Sequence, residues 1–194
     1  MAKPADISVI IVSFNTADIL CRCLSALFLN PGRHSLEVIV VDNNSSDGSA
    51  GRVKALFPQV RVMENALNKG FAAANNQAWK EASGRFILLL NPDAFVMPGA
   101  VDSAAAFMQS HPDCGLCGGL LLNPGGHPEP SARRFPGAVS KFLSLTGLSA
   151  KFPKSRLLGR DDFAWFDHKR PCKVDWVPGT FTLYRREMLE SIGF

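Results

Sequence analysis

The feature that most constrains the fold is a series of short apolar runs, each followed by polar residues and then by an amphipathic segment. The most strongly apolar runs are Ile7–Val12, Leu36–Val41 and Arg85–Leu90. Continuous apolar runs of this length are typical of strands that are buried on both faces. Their alternation with helix-like segments predicts an α/β fold with a mostly parallel sheet flanked by helices.

The remaining chain predicts shorter elements and a change of organisation after Leu122. We expect strands near 60–64, 114–122 and 174–184, and helices over 138–150 and from 185 onward. Pro98 suits the first residue of a helix that ends near Ser110. A Pro- and Gly-rich loop follows Leu122, and then come the basic pair Arg133-Arg134 and a basic, aromatic stretch over 151–173. This shift predicts one subdomain over residues 1–122 and another over 123–194.

Composition narrows the classes of partner and compartment. The 194 residues are 46% hydrophobic and 20% charged, which is typical of a globular chain. The net charge of +4 is small and scattered, so it favours an anionic ligand and argues against nucleic acid. The odd number of cysteines, five, indicates a reducing compartment, and no apolar run approaches the roughly 20 residues of a membrane span. We expect a cytoplasmic protein, either soluble or peripheral to the inner face of the membrane.

Polar clusters follow three of the predicted strands. They are Ser13-Phe14-Asn15, Asp42-Asn43-Asn44 and Asn91-Pro92-Asp93. In open α/β sheets, ligands bind beyond the carboxyl ends of the strands. One such cluster is usually a turn and a helix cap, whereas three of them after neighbouring strands indicate a binding site.

The two carboxylates in these clusters suggest different tasks. Asp42 either accepts hydrogen bonds from a base or ribose hydroxyl, or caps its own turn, and the local sequence favours neither. Asp93 lies several residues too early to cap the next helix. It is therefore interpreted as the ligand of a hard divalent cation, Mg²⁺ or Mn²⁺, that neutralises a diphosphate leaving group, with Asn91 beside it.

A fourth segment, Asn68-Lys69-Gly70, precedes a predicted helix whose N-terminus suits a phosphate. Lys69 either assists there or is only solvated. Asn75 and Asn76 lie one turn into that helix. Asn is mildly unfavourable in a helix interior, so these two either have a side-chain task or face solvent.

The ordered set of motifs resembles the family 2 glycosyltransferases, which have the Rossmann-like GT-A fold. The matching segments are Ile7–Asn15, Val38–Gly48, Asn68–Phe71 with Asn75-Asn76, Phe86–Asp93 and Trp176–Arg186. The Asn-Pro-Asp version of the metal motif is most similar to the bacterial rhamnosyltransferase-like branch.

The resemblance implies inverting transfer of a sugar from a nucleoside diphosphate-sugar to a hydroxyl of a glycan or lipid-linked acceptor, in cell-surface polysaccharide synthesis. It implies that residues 1–122 bind the nucleotide-sugar and that 123–194 form the acceptor side. Asp42 would bind the base, Asp93 the metal, and Asn75 would lie near the diphosphate. The expected nucleotide-sugar-binding residues are Ser13, Phe14, Asn15, Asp42, Asn44, Gly70, Asn75, Asn91, Asp93 and Gly179.

The resemblance also implies a general base for the acceptor hydroxyl in an acidic motif that follows Phe194. The expectation is therefore a truncated chain that binds donor and transfers sugar poorly. Asp161, Asp162 and Asp167 are alternative carboxylates, but their spacing matches no known motif.

Two other functions are weighed against this one. A nucleotidyltransferase usually carries a Gly-rich, Lys/Arg-containing loop after its first strand, where this chain has Ser13–Thr16 without glycine. A non-catalytic nucleotide-sugar-binding fragment is the other alternative. The basic residues Arg133-Arg134 and the 151–173 stretch either contact a lipid-linked acceptor or an anionic membrane, or form an ordinary surface loop.

Overall fold

The computed structural model describes residues 5–30, 32–129, 131–133, 135, 137–152, 155, 166 and 170–193. The elements follow in chain order: β1 (Ile7–Ser13), α1 (Ala17–Leu29), β2 (Leu36–Asp42), α2 (Ser49–Leu56), β3 (Arg61–Glu64), α3 (Phe71–Trp79), β4 (Phe86–Leu90), α4 (Ala100–Ser110), β5 (Leu116–Gly118), β6 (Leu121–Leu122), β7 (Pro128–Glu129), α5 (Ala138–Leu145), α6 (Leu148–Lys151), β8 (Phe181–Arg185) and α7 (Arg186–Ile192).

The main sheet has six strands in the order β3-β2-β1-β4-β8-β5. β1 lies between β2 and β4 and runs parallel to both, and β3 runs parallel to β2. Every residue of β4 is buried, as is every residue of β1 except Val12, so both strands are covered on their two faces. The mostly parallel α/β sheet flanked by helices that the apolar runs predicted is confirmed.

The antiparallel strand β8 determines which residues meet at the carboxyl edge of this sheet. Phe181, the first residue of β8, lies opposite Leu90, the last residue of β4. The carboxyl ends of parallel strands lie at one edge of a sheet. Because β8 runs in the other direction, its start lies at the edge where β1, β2 and β4 end. Leu90 and Phe181, which are 91 positions apart in the chain, therefore become neighbours.

The predicted strand over 114–122 is interrupted, and β5 and β6 are its two short pieces. Gly118 lies at the break. A Cβ atom there would come within 2.9 Å of the Val177 side chain, so the backbone passes too close for a larger residue. Glycine also weakens a strand because it offers no side chain for packing.

Two predicted helices and one strand also have different bounds. The helix over 138–150 is divided by Gly147, whose φ of 74° is a left-handed conformation that favours glycine. The helix predicted to start at Pro98 starts at Ala100, because Pro98 and Gly99 form a turn. The strand predicted over 174–184 is confined to β8, which begins three residues after Pro178. Proline cannot donate to a sheet ladder.

The chain divides into two compact units. Unit 1 comprises Met1–Cys117 and Gly179–Phe194, and unit 2 comprises Gly118–Pro178. Unit 1 contains the cavity described below. Among the helices of the described ranges, none has both the length and the hydropathy that a membrane span requires.

Candidate functional site

A cavity of about 510 Å³ lies at the carboxyl edge of the main sheet. Its volume falls within the range of roughly 300–1,000 Å³ that small-molecule sites occupy. The residues that line it come from the end of β1, the start of α3, and the loops that precede α1, follow β4 and precede β8. They are Val12, Thr16, Phe71, Asn91, Pro92, Asp93, Gly179 and Thr180.

The turn after β4 supplies the only carboxylate among the described lining residues. The Asn91 N–H donates to the Thr180 carbonyl at 3.0 Å, and the Ala94 N–H donates to the Asn91 carbonyl at 3.1 Å. These bonds close a tight turn and join it to the start of β8. Asp93, at the tip of the turn, is exposed.

Cys23 of α1 supports this turn from the core. Its side chain is fully buried, and its thiol donates to the Asn91 carbonyl at 3.7 Å. Burial, followed by the negative charge of Asp93, raises the pKa of Cys23 to about 12. The thiol therefore stays protonated and keeps its role as a donor at neutral pH.

Gly179 lines the cavity at a position where the surrounding packing is open. A Cβ atom built there would meet nothing within 4 Å. The protein's own packing thus does not require glycine at this position.

The loops that follow β1 and β2 are joined to each other. The Asn15 N–H donates to the Ser45 hydroxyl at 2.9 Å, and the Asn15 side-chain oxygen accepts from the Ser46 N–H at 2.8 Å. The Ser13 and Thr16 hydroxyls lie 2.7 Å apart in a hydrogen bond. These polar side chains therefore hold the shape of the edge, and Phe14 beside them is 49% exposed.

Asp47 caps two helices at this edge. One of its carboxylate oxygens accepts from the N–H of Ala17, the first residue of α1, at 2.8 Å. The other accepts from the N–H of Ser49, the first residue of α2, at 3.0 Å, and from the Ser49 hydroxyl. One exposed carboxylate thus satisfies orphan N–H groups at two helix N-termini.

We expect Asp47→Ala to lower the free energy of unfolding by about 1–3 kcal/mol, because loss of a single cap costs about 0.5–2 kcal/mol. The Ser49 hydroxyl, followed by the Ala17 and Ser49 N–H groups, lowers the pKa of Asp47. Its contribution is therefore present above the ordinary carboxyl pKa near 4 and is lost as the pH falls through the lowered pKa. Urea unfolding at pH 7 and at pH 3 measures both effects. Asp113→Ala, at another exposed carboxylate, is the control, and an equal loss in both variants would contradict the double cap.

Asp42 ends β2 and is only 4% exposed. One carboxylate oxygen accepts from the Ser45 N–H at 3.1 Å, whereas Oδ1 is buried without a hydrogen-bond partner. An unsatisfied buried acceptor of this kind is uncommon in native proteins and requires an explanation. Asp42 is not among the residues that line the cavity.

Asn43, which the sequence analysis did not single out as a site residue, organises the loop before α3. It is 2% exposed. Its side-chain oxygen accepts from the Asn65 amide at 3.1 Å and from the Lys69 N–H at 3.0 Å. Its amide donates to the Asn68 side chain at 2.7 Å, which in turn accepts from the Gly70 N–H at 2.9 Å. Three contacts across the chain therefore depend on this one side chain.

We expect Asn43→Ala to destabilise the protein by about 1–3 kcal/mol, because the buried Asn65 amide loses a partner. Faster amide exchange at Lys69 should accompany the loss. Thermal unfolding and hydrogen exchange measure the two effects, with Asn76→Ala at an exposed position of α3 as the control. Unchanged exchange at Lys69 would show that Asn43 does not hold this loop.

The remaining predicted residues occupy the segments around α3 and the β2–α2 loop. Gly70, with a φ of 79°, immediately precedes α3, and Phe71, the first residue of that helix, lines the cavity. Asn75 is 3% exposed, and its amide donates to the Phe71 carbonyl at 2.9 Å, so the side chain serves the helix itself. Asn44 is exposed and has a φ of 70°.

The structure therefore brings three of the ten predicted residues into one lining: Asn91, Asp93 and Gly179. The other seven predicted residues are not among the lining residues. They are the last residues of β1 and β2, residues of the loops that follow these strands, Gly70 before α3, and Asn75 within α3. Val12, Thr16, Phe71 and Thr180 are lining residues that the sequence analysis did not assign. The only available signal was their position within or beside the motifs. Asp161, Asp162, Asp167 and Arg134 lie outside the described residues.

Comparison with known proteins identifies relatives over most of the chain. The family model described as Glycosyl transferase family 2 matches residues 8–193. An N-acetylglucosaminyl-diphospho-decaprenol L-rhamnosyltransferase of Mycobacterium tuberculosis is 26% identical, over 95% of this chain and 63% of that protein. An uncharacterized glycosyltransferase, YwdF of Bacillus subtilis, is 29% identical, over 88% of this chain and 65% of that protein. The chain thus spans less than two thirds of the length of these relatives.

Solved structures share the fold. A mannosyltransferase from Pyrobaculum calidifontis, in complex with GDP-Man and Mn²⁺, superposes with a TM-score of 0.62 at 20% identity, covering 99% of this chain and 48% of that chain. TarS 1-349 of S. aureus in complex with UDP-GlcNAc gives a TM-score of 0.57 at 20% identity, covering 96% and 47%. The predicted GT-A fold is confirmed by these neighbours.

The resemblance to family 2 glycosyltransferases that the sequence motifs predicted is confirmed by the family model and by the rhamnosyltransferase relative. Since that model matches nearly all of the chain, the protein belongs to glycosyl transferase family 2.

Proposed function

We propose that the cavity binds a nucleoside diphosphate-sugar and that the protein transfers the sugar, with inversion, to an acceptor hydroxyl in the synthesis of a cell-surface glycan. The observation that carries the proposal is the cavity of about 510 Å³ with Asp93 in its lining. It lies at the edge of an α/β sheet where such ligands bind. Family membership and the rhamnosyltransferase relative support the same reaction class.

A divalent cation, Mg²⁺ or Mn²⁺, fits the donor chemistry of this lining. Asp93 offers a carboxylate and Asn91 an amide oxygen, which are the hard ligands these ions prefer. Within the described ranges, no three His, Cys, Asp or Glu side chains gather into a metal site of their own. Asp93 would therefore hold the ion together with phosphate oxygens and water. When bound, the ion would neutralise the negative charge of the diphosphate leaving group.

Different residues of the protein would bind different parts of the donor. Asp93 would fix the diphosphate end through the ion, and the protonated Cys23 thiol would keep the Asn91 carbonyl in place beneath it. Gly179 would leave room for the sugar, since apart from its own and its neighbouring residues no atom lies within 4 Å of its Cβ position. The buried, unpartnered Oδ1 of Asp42 would accept a hydrogen bond from the nucleoside.

The loops at the same edge complete the proposed nucleotide-sugar site. Ser13, Phe14, Asn15 and Asn44 would shape its nucleoside side, and Gly70 and Asn75 would set the start of α3 near the diphosphate. The base that activates the acceptor stays a prediction of the family resemblance and is not assigned to a described residue.

The acceptor is proposed to be a glycan or lipid-linked sugar, with residues 1–122 on the donor side and 123–194 on the acceptor side. The name of the mycobacterial relative includes a decaprenol-linked sugar, which supports a lipid-linked acceptor. We accordingly propose a cytoplasmic location at the inner face of the membrane.

Titration calorimetry with UDP, GDP and TDP, each with and without Mn²⁺, tests the donor part of this proposal. We expect at least one diphosphate to bind, and to bind only with the metal. Release of sugar to an acceptor separates an active transferase from a non-catalytic binding fragment. Absence of binding by every nucleotide in the presence of Mn²⁺ would refute the proposed function.

A further inference from the structure

Helix α5 in unit 2 exposes three large apolar side chains. Val139, Phe142 and Leu145 are 71%, 62% and 88% exposed, and we refer to them as the apolar face of α5. Phe135, three residues before the helix, is 70% exposed. Contiguous exposed apolar residues of this kind mark a site of interaction, whereas singly scattered ones need no explanation.

The three residues share one side of the helix. An α-helix turns by about 100° per residue, so positions 139, 142 and 145 fall within an arc of about 120°. Leu143 lies about 40° outside one edge of that arc and is only 8% exposed, so the helix is buried along this flank of the apolar face. Lys141 lies one turn before Leu145, about 40° outside the other edge of the arc, and is exposed.

The charge of unit 2 identifies the chemistry of the partner. Residues 118–178 contain ten lysine and arginine residues against five aspartate and glutamate residues, whereas the other parts of the chain contain eleven against twelve. The positive charge of the protein is therefore concentrated in the unit that carries the apolar face of α5. Lys141 and Lys151 are exposed members of this excess in α5 and α6.

We propose that the apolar face of α5 inserts into the headgroup region of an anionic phospholipid bilayer, with Lys141 and Lys151 on the lipid phosphates. A helix that exposes Phe and Leu on one face, with Lys at the border of that face, carries the side chains that interfacial membrane helices use. Its eight residues form a cylinder about 12 Å long and about 10 Å wide, so one face presents roughly 120 Å². This area is small against the roughly 800 Å² that each partner buries in a stable protein interface. A lipid surface, unlike a protein partner, needs no larger complementary area.

The role of this membrane contact, which is to bring unit 2 to a lipid-linked acceptor, rests on the proposed function. The contact itself does not depend on that function. Because a short helix inserts weakly by itself, binding should need both insertion and charge. It should therefore weaken with added salt and with neutral lipid.

Co-sedimentation of the full chain with vesicles tests the proposal. We expect the protein to bind vesicles rich in phosphatidylglycerol and not vesicles of phosphatidylcholine alone. The double variant Phe142→Ser with Leu145→Ser should bind about tenfold more weakly or worse, since it removes most of the inserted apolar surface. The matched control is Leu29→Ser with Leu56→Ser in unit 1, where the side chains are 78% and 59% exposed. This control should bind like the parent.

Equal vesicle binding by the parent and the α5 variant would overturn the proposal, as would failure of the parent to bind anionic vesicles. A parent that is dimeric and becomes monomeric in the α5 variant would instead assign the face to a second copy of the chain. Circular dichroism of each variant checks folding. Titration with a nucleoside diphosphate and Mn²⁺ is read separately, so loss of donor binding and loss of lipid binding are distinguishable.

Discussion

Replacement of Asp93 by asparagine is expected to weaken metal-dependent binding of a nucleoside diphosphate by about 100-fold or more, without loss of the fold. Partners that only support a metal ligand are worth about 10–100-fold in affinity, so the direct ligand should exceed that range. Among the described residues, Asp93 is the only carboxylate in the lining of the cavity, so no described neighbour there replaces its charge. Because the side chain is exposed, the free energy of unfolding should change by less than about 0.5 kcal/mol.

The control for this variant is Asp113→Asn, which removes the same charge from an exposed position of unit 1 that does not line the cavity. Calorimetry with Mn²⁺ and the diphosphate measures both variants. A loss of similar size in Asp113→Asn would indicate a general effect of net charge. Unchanged affinity in Asp93→Asn would show that Asp93 does not bind the metal.

Replacement of Asp42 by asparagine is expected to weaken nucleoside diphosphate binding by about 10- to 100-fold, while stability stays equal or increases. A hydrogen bond to a charged group is worth about 1.5–3 kcal/mol, and 1.4 kcal/mol corresponds to a factor of ten. The parent buries Oδ1 without a partner, which costs free energy in the unliganded protein. Asparagine removes that buried charge, and its oxygen can still accept from the Ser45 N–H.

Inorganic pyrophosphate with Mn²⁺ separates the two carboxylates, because it has the diphosphate but no nucleoside. Asp42→Asn should bind it like the parent, whereas Asp93→Asn should lose both ligands. If Asp42 only caps its turn, Asp42→Asn will bind the nucleotide as the parent does.

The parts of the fold that could be predicted are those in which a local run of apolar residues indicates a buried strand. β1, β2 and β4 have the predicted places because a strand covered on both faces needs an uninterrupted apolar run. β5 and β6 were predicted as one strand because the apolar character of 114–122 hides the close approach of Val177 to Gly118. That contact joins residues far apart in the chain, and no local pattern reports it.

The candidate site shows the same division. Asn91 and Asp93 were visible because they directly follow a buried strand. Thr180 lines the cavity because β8 pairs antiparallel with β4. The sequence motif that contains Thr180 does not predict that pairing. Asn43 was passed over because Asn is common in turns, and its three long-range hydrogen bonds exist only in the folded chain.

A crystal structure with Mn²⁺ and the nucleoside diphosphate that binds best would show whether Asp93 holds the metal, which is located by its anomalous scattering. We expect one ion in the cavity, about 2 Å from a carboxylate oxygen of Asp93 and from oxygens of the diphosphate. A diphosphate and metal bound elsewhere, with Asp93 contacting neither, would contradict this expectation.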